Sequence, residues 1–340
     1  MERCRTLLEY GWSGLLGDFS GAVVAALFAL PYGLAMASLM GLPPALGVFS
    51  SIVTAPVTAA LGRNPFLIGG ATSVPVPFIA TAVHAHGITG AARLSIVTAL
   101  FMIAFGVLRA GRIIARAPQA VLMGFSYGIG AMMLISQLDT LFGVMPAAAG
   151  RTGSPAAQLV AVLKGIGGIR PVPLLLGMAV IVATALTSKW LPRVPAPLVG
   201  VVAAVIIART FGIHEREVGS LNAALPSLVH VSWRFSELLD VLPCALALAF
   251  VCSVNTLMAS RVVDQFRVRC AGMEIADADA ELRAFGIANI CAGIFGAPLS
   301  LGSPARSVAV VRCGARTALA NLLHAIILGV CHRSSEIVLF

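Results

Sequence analysis

Two short apolar segments, interrupted by glycine and proline, are where this sequence could bind a ligand. The segment 72–84 follows Gly69 and Gly70, and the segment 303–311 follows Gly302. If each begins as a helix inside a membrane, its first N–H groups are unpaired and present the positive end of the helix dipole. Two such ends facing each other would attract an anion. The alternative is a pair of proline-kinked packing helices, since glycine and proline are common in membrane spans.

Arg306 adds a full positive charge to the second of these segments. It stands between the uncharged run 284–305 and the apolar run 308–311. A charge at bilayer depth is costly unless it faces a cavity or a counter-charge. No carboxylate stands nearby in that uncharged run, so a bound anion would supply the counter-charge. The alternative is that Arg306 reaches an interface by extending its side chain along the helix.

Three other polar side chains lie in apolar stretches. Asn255 and Thr256 could hydrogen-bond a ligand or join neighbouring helices. Tyr32 could line the same site or be an ordinary packing or interfacial residue.

His84 and His86 are interpreted as loop residues, because their spacing does not place both on one helix face. The sequence lacks the metalloprotease, phosphate-loop and nucleophile-elbow motifs, so we predict no catalytic residue, no metal site and no cofactor.

The elements that position these residues must be membrane helices. The chain of 340 residues is 59% hydrophobic and 11% charged, with a mean hydropathy of +0.96. A water-soluble fold could not bury so much apolar surface, and the charge-free stretch 19–62 alone has room for two spans. We predict spans at 20–39, 46–61, 72–84, 94–108, 117–137, 171–189, 194–208, 238–260, 281–295, 303–311 and 317–329, with an amphipathic stretch at 156–163.

Charge placement predicts an orientation. The net charge of +9 comes from basic residues between the spans, so it does not indicate nucleic-acid binding. With a cytoplasmic N-terminus, most of these residues fall on the cytoplasmic side, as the positive-inside rule requires. We therefore predict an integral protein of the plasma (inner) membrane whose N-terminus is cytoplasmic and is not a cleaved signal peptide. Seven scattered cysteines form neither a disulfide framework nor a metal-ligand pattern.

Several ordered motifs resemble those of the SulP sulfate-permease family of inorganic anion transporters. They are LPYGLAMA at 30–37 with GLPPALG at 41–47, GFSYGIG at 124–130 with ISQL at 135–138, RVVD at 261–264, ELRAFGIAN at 281–289, and Arg306-Ser307 leading to GART at 314–317. The resemblance covers the chain to about residue 328. Their order makes the signal far more specific than any single motif.

The resemblance implies an all-α polytopic membrane protein with a seven-plus-seven inverted-repeat transporter fold. It also implies two half-helices that hold an anion between them, and a core domain that moves against a gate domain. The family's substrates include sulfate, bicarbonate, chloride and dicarboxylates. Carried over by position, and with Asn255 added from the pattern, the substrate-binding prediction is Tyr32, Gly70, Ala71, Thr72, Asn255, Ala305, Arg306 and Ser307.

The repeats predict a division of the chain. Residues 1–212 form the first repeat, 213–237 a polar connection and 238–340 an incomplete second repeat. The last three spans and the cytoplasmic STAS domain usual in this family are missing, which is typical of a truncated product. Many bacterial members carry an acidic residue for cation coupling where this chain has Asn255. The resemblance allows a homodimer. The STAS domain that is missing here would otherwise help to support such a dimer.

The leading hypothesis is secondary transport of a small inorganic or carboxylate anion across the bilayer by an elevator-like alternating-access mechanism, without enzymatic chemistry. A non-transporting truncated remnant or scaffold is the first alternative. A nucleobase-type symporter of the same fold is the second, although its site resembles a carboxylate pair, where this chain has Asn255 and Arg306.

Overall fold

The computed structural model describes residues 11–114, 119–143, 155–165, 168, 170–190, 196–213, 226–231, 233–271 and 276–333. The elements in chain order are α1 (Trp12–Leu39), α2 (Pro44–Leu61), β1 (Gly69–Ala71), α3 (Val76–Val107), α4 (Gly111–Ile114), α5 (Gln119–Phe142), α6 (Pro155–Lys164), α7 (Pro171–Trp190), α8 (Ala196–Thr210), α9 (Phe235–Ala271), α10 (Ala278–Gly293), β2 (Ser300–Gly302), α11 (Pro304–Arg312) and α12 (Leu319–Arg333).

The helices confirm a polytopic membrane fold. Among the described residues, five helices are long and apolar enough to cross a bilayer: Gly14–Leu39, Pro44–Leu61, Val76–Val107, Pro171–Trp190 and Glu237–Gln265. Val199–Thr210 and Leu319–Arg333 are shorter apolar helices. A bilayer offers no water to unpaired amides, so an apolar chain must satisfy its backbone within helices. The large apolar side chains left exposed on α7, such as Leu175 and Ile181, are typical of lipid-facing positions.

The chain forms two compact units. The first contains α1 to α4, both strands and α9 to α12, and the second contains α5 to α8. In the second unit, α7 packs against α8, while α5 packs against α6 and α7. The predicted repeats at 1–212 and 238–340 describe a symmetry along the chain and stay a prediction. Most of the predicted polar connection, 214–225, lies outside the described residues.

Small residues let helices of the first unit approach closely. A Cβ atom on Gly47 of α2 would overlap the carbonyl oxygen of Gly33 in α1. Such backbone approach replaces the hydrophobic driving force that lipid cannot supply between helices. Leu328 of α12 joins Ala29 and Val48 in the core between these three helices. The tight α1–α2–α12 packing fixes the position from which Tyr32 projects.

Two breaks divide the apolar sequence as the half-helix prediction requires. The α3 range contains Gly87 at φ 63° and ψ −156°, which separates a half-helix 76–86 from a helix 88–107. Helix α11 is only nine residues long and begins at Pro304. The first half-helix begins at Val76, four residues after the predicted start at Thr72, because Pro75 caps it and Pro77 occupies its first turn.

Two three-residue strands, which the sequence pattern does not predict, precede the two half-helices and pair with each other. Strands β1 and β2 pair antiparallel, with Gly69 opposite Gly302, Gly70 opposite Leu301 and Ala71 opposite Ser300. All six residues are buried. Extended backbone at this depth needs hydrogen-bond partners, and pairing supplies part of them; side chains described below supply others.

Candidate substrate-binding site

The paired strands set the positions of the two half-helices. Because the strands are antiparallel, the end of β1 lies beside the start of β2, and the end of β2 lies beside Gly69. The chain therefore leaves the pair at opposite ends, toward Val76 on one side and Pro304 on the other. Each helix therefore begins at the strand pair, with the positive end of its dipole toward it.

Side chains of α2 and α10 hold β2 in place. The Asn289 amide donates to the Ser300 carbonyl oxygen at 2.8 Å and accepts from the Ser300 N–H at 2.6 Å. The Thr54 hydroxyl lies 2.9 Å from the Ser300 Oγ, and the Ser50 hydroxyl donates to the Pro298 carbonyl at 2.7 Å. These bonds satisfy polar atoms of Ser300 and Pro298, and they therefore anchor the start of β2.

Arg306 lies at the point where the strands and α11 meet. Its side chain is buried, with the residue 3% exposed. Nη2 donates to the Ala71 carbonyl oxygen at 3.1 Å and Nη1 to that of Gly69 at 3.4 Å. The guanidinium carbon lies 5.5 Å from the centre of the Tyr32 ring, within the range of a cation–π contact.

The charge of Arg306 has no carboxylate partner among the described residues. The ion pairs found there are Arg93 with Glu237 and Arg112 with Asp279. Two carbonyl oxygens and the face of the Tyr32 ring surround the Arg306 guanidinium with partial negative charge, but they do not supply a full counter-charge. A buried cation in this condition is a strong attractor for a diffusible anion.

Gly70 is the position where the close approach occurs. A Cβ atom there would overlap the Arg306 Nη1 and come within 2.6 Å of the Ser51 Oγ. Ser51 and Thr72 are buried, and neither hydroxyl has a hydrogen-bond partner among the described atoms. The free Ser51 hydroxyl and the guanidinium therefore meet at Gly70, and the free Thr72 hydroxyl belongs to the residue directly after β1.

The remaining predicted residues are placed differently. The Ser307 Oγ accepts from the Ile68 N–H at 2.9 Å, so this buried hydroxyl fixes the entry to β1. Ala305 is exposed at the start of α11 and offers only its N–H. Asn255 is half-buried on α9, and no hydrogen bond within the described residues joins it to Arg306. Whether these residues contact substrate stays a prediction.

Two of the recognised motifs position the loop before β1. The Glu281 carboxylate accepts from the N–H groups of Arg63 and Asn64, the latter at 2.6 Å. The Asn64 amide donates to the Ser260 Oγ at 3.1 Å and to Asp264 Oδ1 at 3.2 Å. RVVD at 261–264 and ELRAFGIAN at 281–289 thus act as supports for the strand that touches Arg306.

The motif at 314–317 is a support of the same kind. The buried carboxylate of Asp18 accepts from the N–H of Arg316 at 2.6 Å and from the N–H of Thr317 at 3.1 Å. The Thr317 hydroxyl also donates to it. Asp18 thereby ties α1 to the turn between α11 and α12.

Two residues near Arg306 were missed by sequence reasoning. Ser51 carries no signal of its own, since serine is common in membrane helices and its neighbour Gly70 is distant in sequence. His324 had one: it is an ionisable residue inside the predicted span 317–329, and such residues are functional candidates by default. It is fully buried on α12.

Fold and site together define a class. Two half-helices that meet at a buried cation, with no carboxylate partner among the described residues, are an arrangement typical of solute transporters. The comparison with known families is more specific: residues 15–333 match the sulfate permease family, and the chain belongs to it. Its members compared below are named as transporters, in agreement with the prediction that the chain is not an enzyme.

Several relatives show how the chain compares. It is 31% identical to the bicarbonate transporter BicA of Synechocystis over 92% of its length and 56% of the relative. It is 25% identical to the putative sulfate transporter YbaR of Bacillus subtilis, over 93% of the chain and 61% of the relative. The chain thus spans somewhat more than half the length of these curated relatives.

Solved structures agree with the fold. The transmembrane domain of a cyanobacterial BicA superposes with a TM-score of 0.84 at 27% identity, covering 96% of this chain and 84% of that one. Murine Slc26a9 in an inward-facing state gives a TM-score of 0.82 at 19% identity, over 94% of this chain and 56% of that one. The second likeness concerns the fold alone.

Proposed function

We propose that this chain is the membrane part of a secondary transporter of small inorganic or carboxylate anions, such as sulfate or bicarbonate. The observation that carries the proposal is Arg306, buried where β1, β2 and α11 meet and without an acidic partner among the described residues. Relatives named as bicarbonate and sulfate transporters support the substrate class. The eight predicted residues remain the proposed site, with Ser51 added because its free hydroxyl lies beside Gly70.

We propose an elevator-like alternating-access mechanism for this transport. The supporting observation is that all eight predicted site residues, from Tyr32 to Ser307, belong to one compact unit. A site built within a single body can travel with that body, whereas a site shared between bodies would come apart. A homodimer and an inner-membrane location with a cytoplasmic N-terminus are part of the same proposal.

The nucleobase-type alternative finds no support in the site. A neutral nucleobase needs carboxylates to hydrogen-bond its ring N–H groups, and the corresponding helices carry Asn255 and Arg306. The match to the sulfate permease family favours an anion as well.

The experiment is anion binding to the purified chain in lipid nanodiscs, with sulfate, bicarbonate, chloride and succinate as probes. Arg306→Ala should weaken binding of the preferred anion by at least about tenfold, because charge-assisted hydrogen bonds contribute roughly 1.5–3 kcal/mol. Arg312→Ala is the matched control, since Arg312 is an exposed cation at the far end of the same helix. Equal affinities of the two variants, or no binding of any probe by the native chain, would overturn the proposal.

A further inference from the structure

A second ionisable group lies buried close to the proposed anion site. His324 of α12 has no solvent exposure, and neither ring nitrogen has a hydrogen-bond partner among the described atoms. A buried imidazole normally satisfies at least its N–H, since an unmet buried donor or acceptor costs about 1–3 kcal/mol. This ring is therefore equipped for a partner that is not a fixed part of the described structure.

The packing of α12 shows where the ring lies. One turn earlier, the Asn321 amide is 3.3 Å from the Thr58 hydroxyl at the end of α2. One turn later, Leu328 packs against Val48 near the start of α2. Helix α12 therefore runs antiparallel to α2, and His324 falls at the middle turns of α2. Ser51, whose free hydroxyl lies beside Gly70 and Arg306, belongs to those turns.

The charged group beside these turns of α2 is Arg306, whose Nη1 lies with the Ser51 Oγ next to Gly70. The elements packed against α12 are α1 and α2. Helix α2 has no titratable side chain, and α1 has Asp18 and Tyr32. Asp18 is bonded to the turn at Arg316 and Thr317, and Tyr32 lies under the guanidinium. On α12 itself, Cys331, His332 and Arg333 lie about two turns away.

This arrangement links two binding events. A guanidinium opposes a second positive charge on a nearby imidazole, and the opposition is strong because both groups are buried. An anion that binds Arg306 offsets this opposing charge, so a proton on the buried ring costs less free energy. Linkage is reciprocal, so a proton on His324 must strengthen anion binding by the same factor.

We propose that His324 takes up a proton when the anion binds and gives it up when the anion leaves. The proton comes from solvent and returns to solvent, and no other bond is made or broken. The inference rests on the proposed anion site at Arg306.

The test measures sulfate and chloride binding to the purified chain between pH 6 and 8. Both probes keep their charge over this range, so a change in affinity reports on the protein. Affinity of the native chain should rise as the pH falls, by up to about tenfold per pH unit for one linked proton. His324→Gln should flatten this profile, whereas His332→Gln, on the same helix beside Phe49, should keep it.

A second measurement does not depend on a variant. Adding saturating sulfate or chloride to the native chain in weak buffer with a pH dye should make the solution more alkaline, by up to one proton per bound anion. If only bicarbonate binds, the same profile is measured at fixed bicarbonate concentration with the carbon dioxide pressure adjusted at each pH.

The outcomes separate the two proposals. Anion binding with no proton uptake, or with a pH profile unchanged in His324→Gln, overturns the role of His324 and leaves the anion site standing. Absence of binding of every probe overturns both. Proton uptake by the native chain, together with a flat profile in His324→Gln alone, supports the coupling.

Discussion

At the scale of single residues, the site depends on what is missing at Gly70. The absent side chain lets the Arg306 guanidinium reach the carbonyl oxygens on either side, those of Gly69 and Ala71. The Ser51 hydroxyl occupies the rest of the space that a Cβ atom would need. The position of the charge is therefore decided by a backbone that can be approached closely.

The consequence can be tested with Gly70→Ala. The added methyl group must displace the guanidinium or the Ser51 hydroxyl, and overpacking of this kind costs about 1–3 kcal/mol. We expect affinity for the preferred anion to fall about tenfold, measured by equilibrium binding in nanodiscs. Gly124→Ala is the control, because no atom of the described residues lies within 4 Å of its added Cβ. Similar affinities in both variants would show that the guanidinium is not held in place at Gly70.

At the scale of elements, the helices could be predicted from the sequence and the strands could not. The helix bounds follow from long apolar stretches and from prolines such as Pro44 and Pro304 at first helical positions. The strand pair has no such pattern, because two three-residue strands are too short to show alternation and their partners are far apart in sequence. For the same reason Ser51 could not be predicted, because its place beside Gly70 exists only after folding. His324 could have been, since an ionisable residue within a predicted span is a functional candidate.

The strand pair should depend on Asn289. Asn289→Ala removes both hydrogen bonds to Ser300 and leaves a buried N–H and C=O of β2 without these partners. Two unmet buried groups should lower the free energy of unfolding by about 2–4 kcal/mol, measured by denaturant titration in detergent. Asn255→Ala removes the same amide from a half-buried position on α9 and should cost less than half as much. A smaller loss in Asn289→Ala than in this control would contradict the anchoring role.

At the scale of the whole molecule, the break at Gly87 matters for orientation. The half-helix 76–86 and the helix 88–107 meet there. A Cβ atom on Gly90 would lie 2.6 Å from the Ala82 carbonyl oxygen, so the chain turns back on itself at Gly87. With a cytoplasmic N-terminus, this reversal lies on the outer side, and the end of α9 near Gln265 lies on the inner side. The positive-inside pattern makes the same assignment.

Cysteine labelling tests this orientation. In a variant without the seven native cysteines, His86→Cys should react with a membrane-impermeant maleimide added to intact cells. Gln265→Cys should react only after the cells are opened. Both native side chains are exposed, so access to the reagent and not burial decides the result. The reverse pattern would place the N-terminus outside and would contradict the proposed topology.

The bonds made by Asp18, Asn64, Asp264 and Glu281 have a practical consequence. Asp264 and Glu281 belong to motifs by which the family is recognised, and Asn64 bonds to both of them. Asp18 bonds to the motif at 314–317. All of these bonds hold loops or helix ends in place. The family motifs therefore identify a shared fold and give no information about which anion the site binds. Attempts to change which anion the proposed site binds should leave these bonds intact and alter positions 51, 72 and 305, where adding or removing one hydroxyl changes the hydrogen bonds offered to an ion.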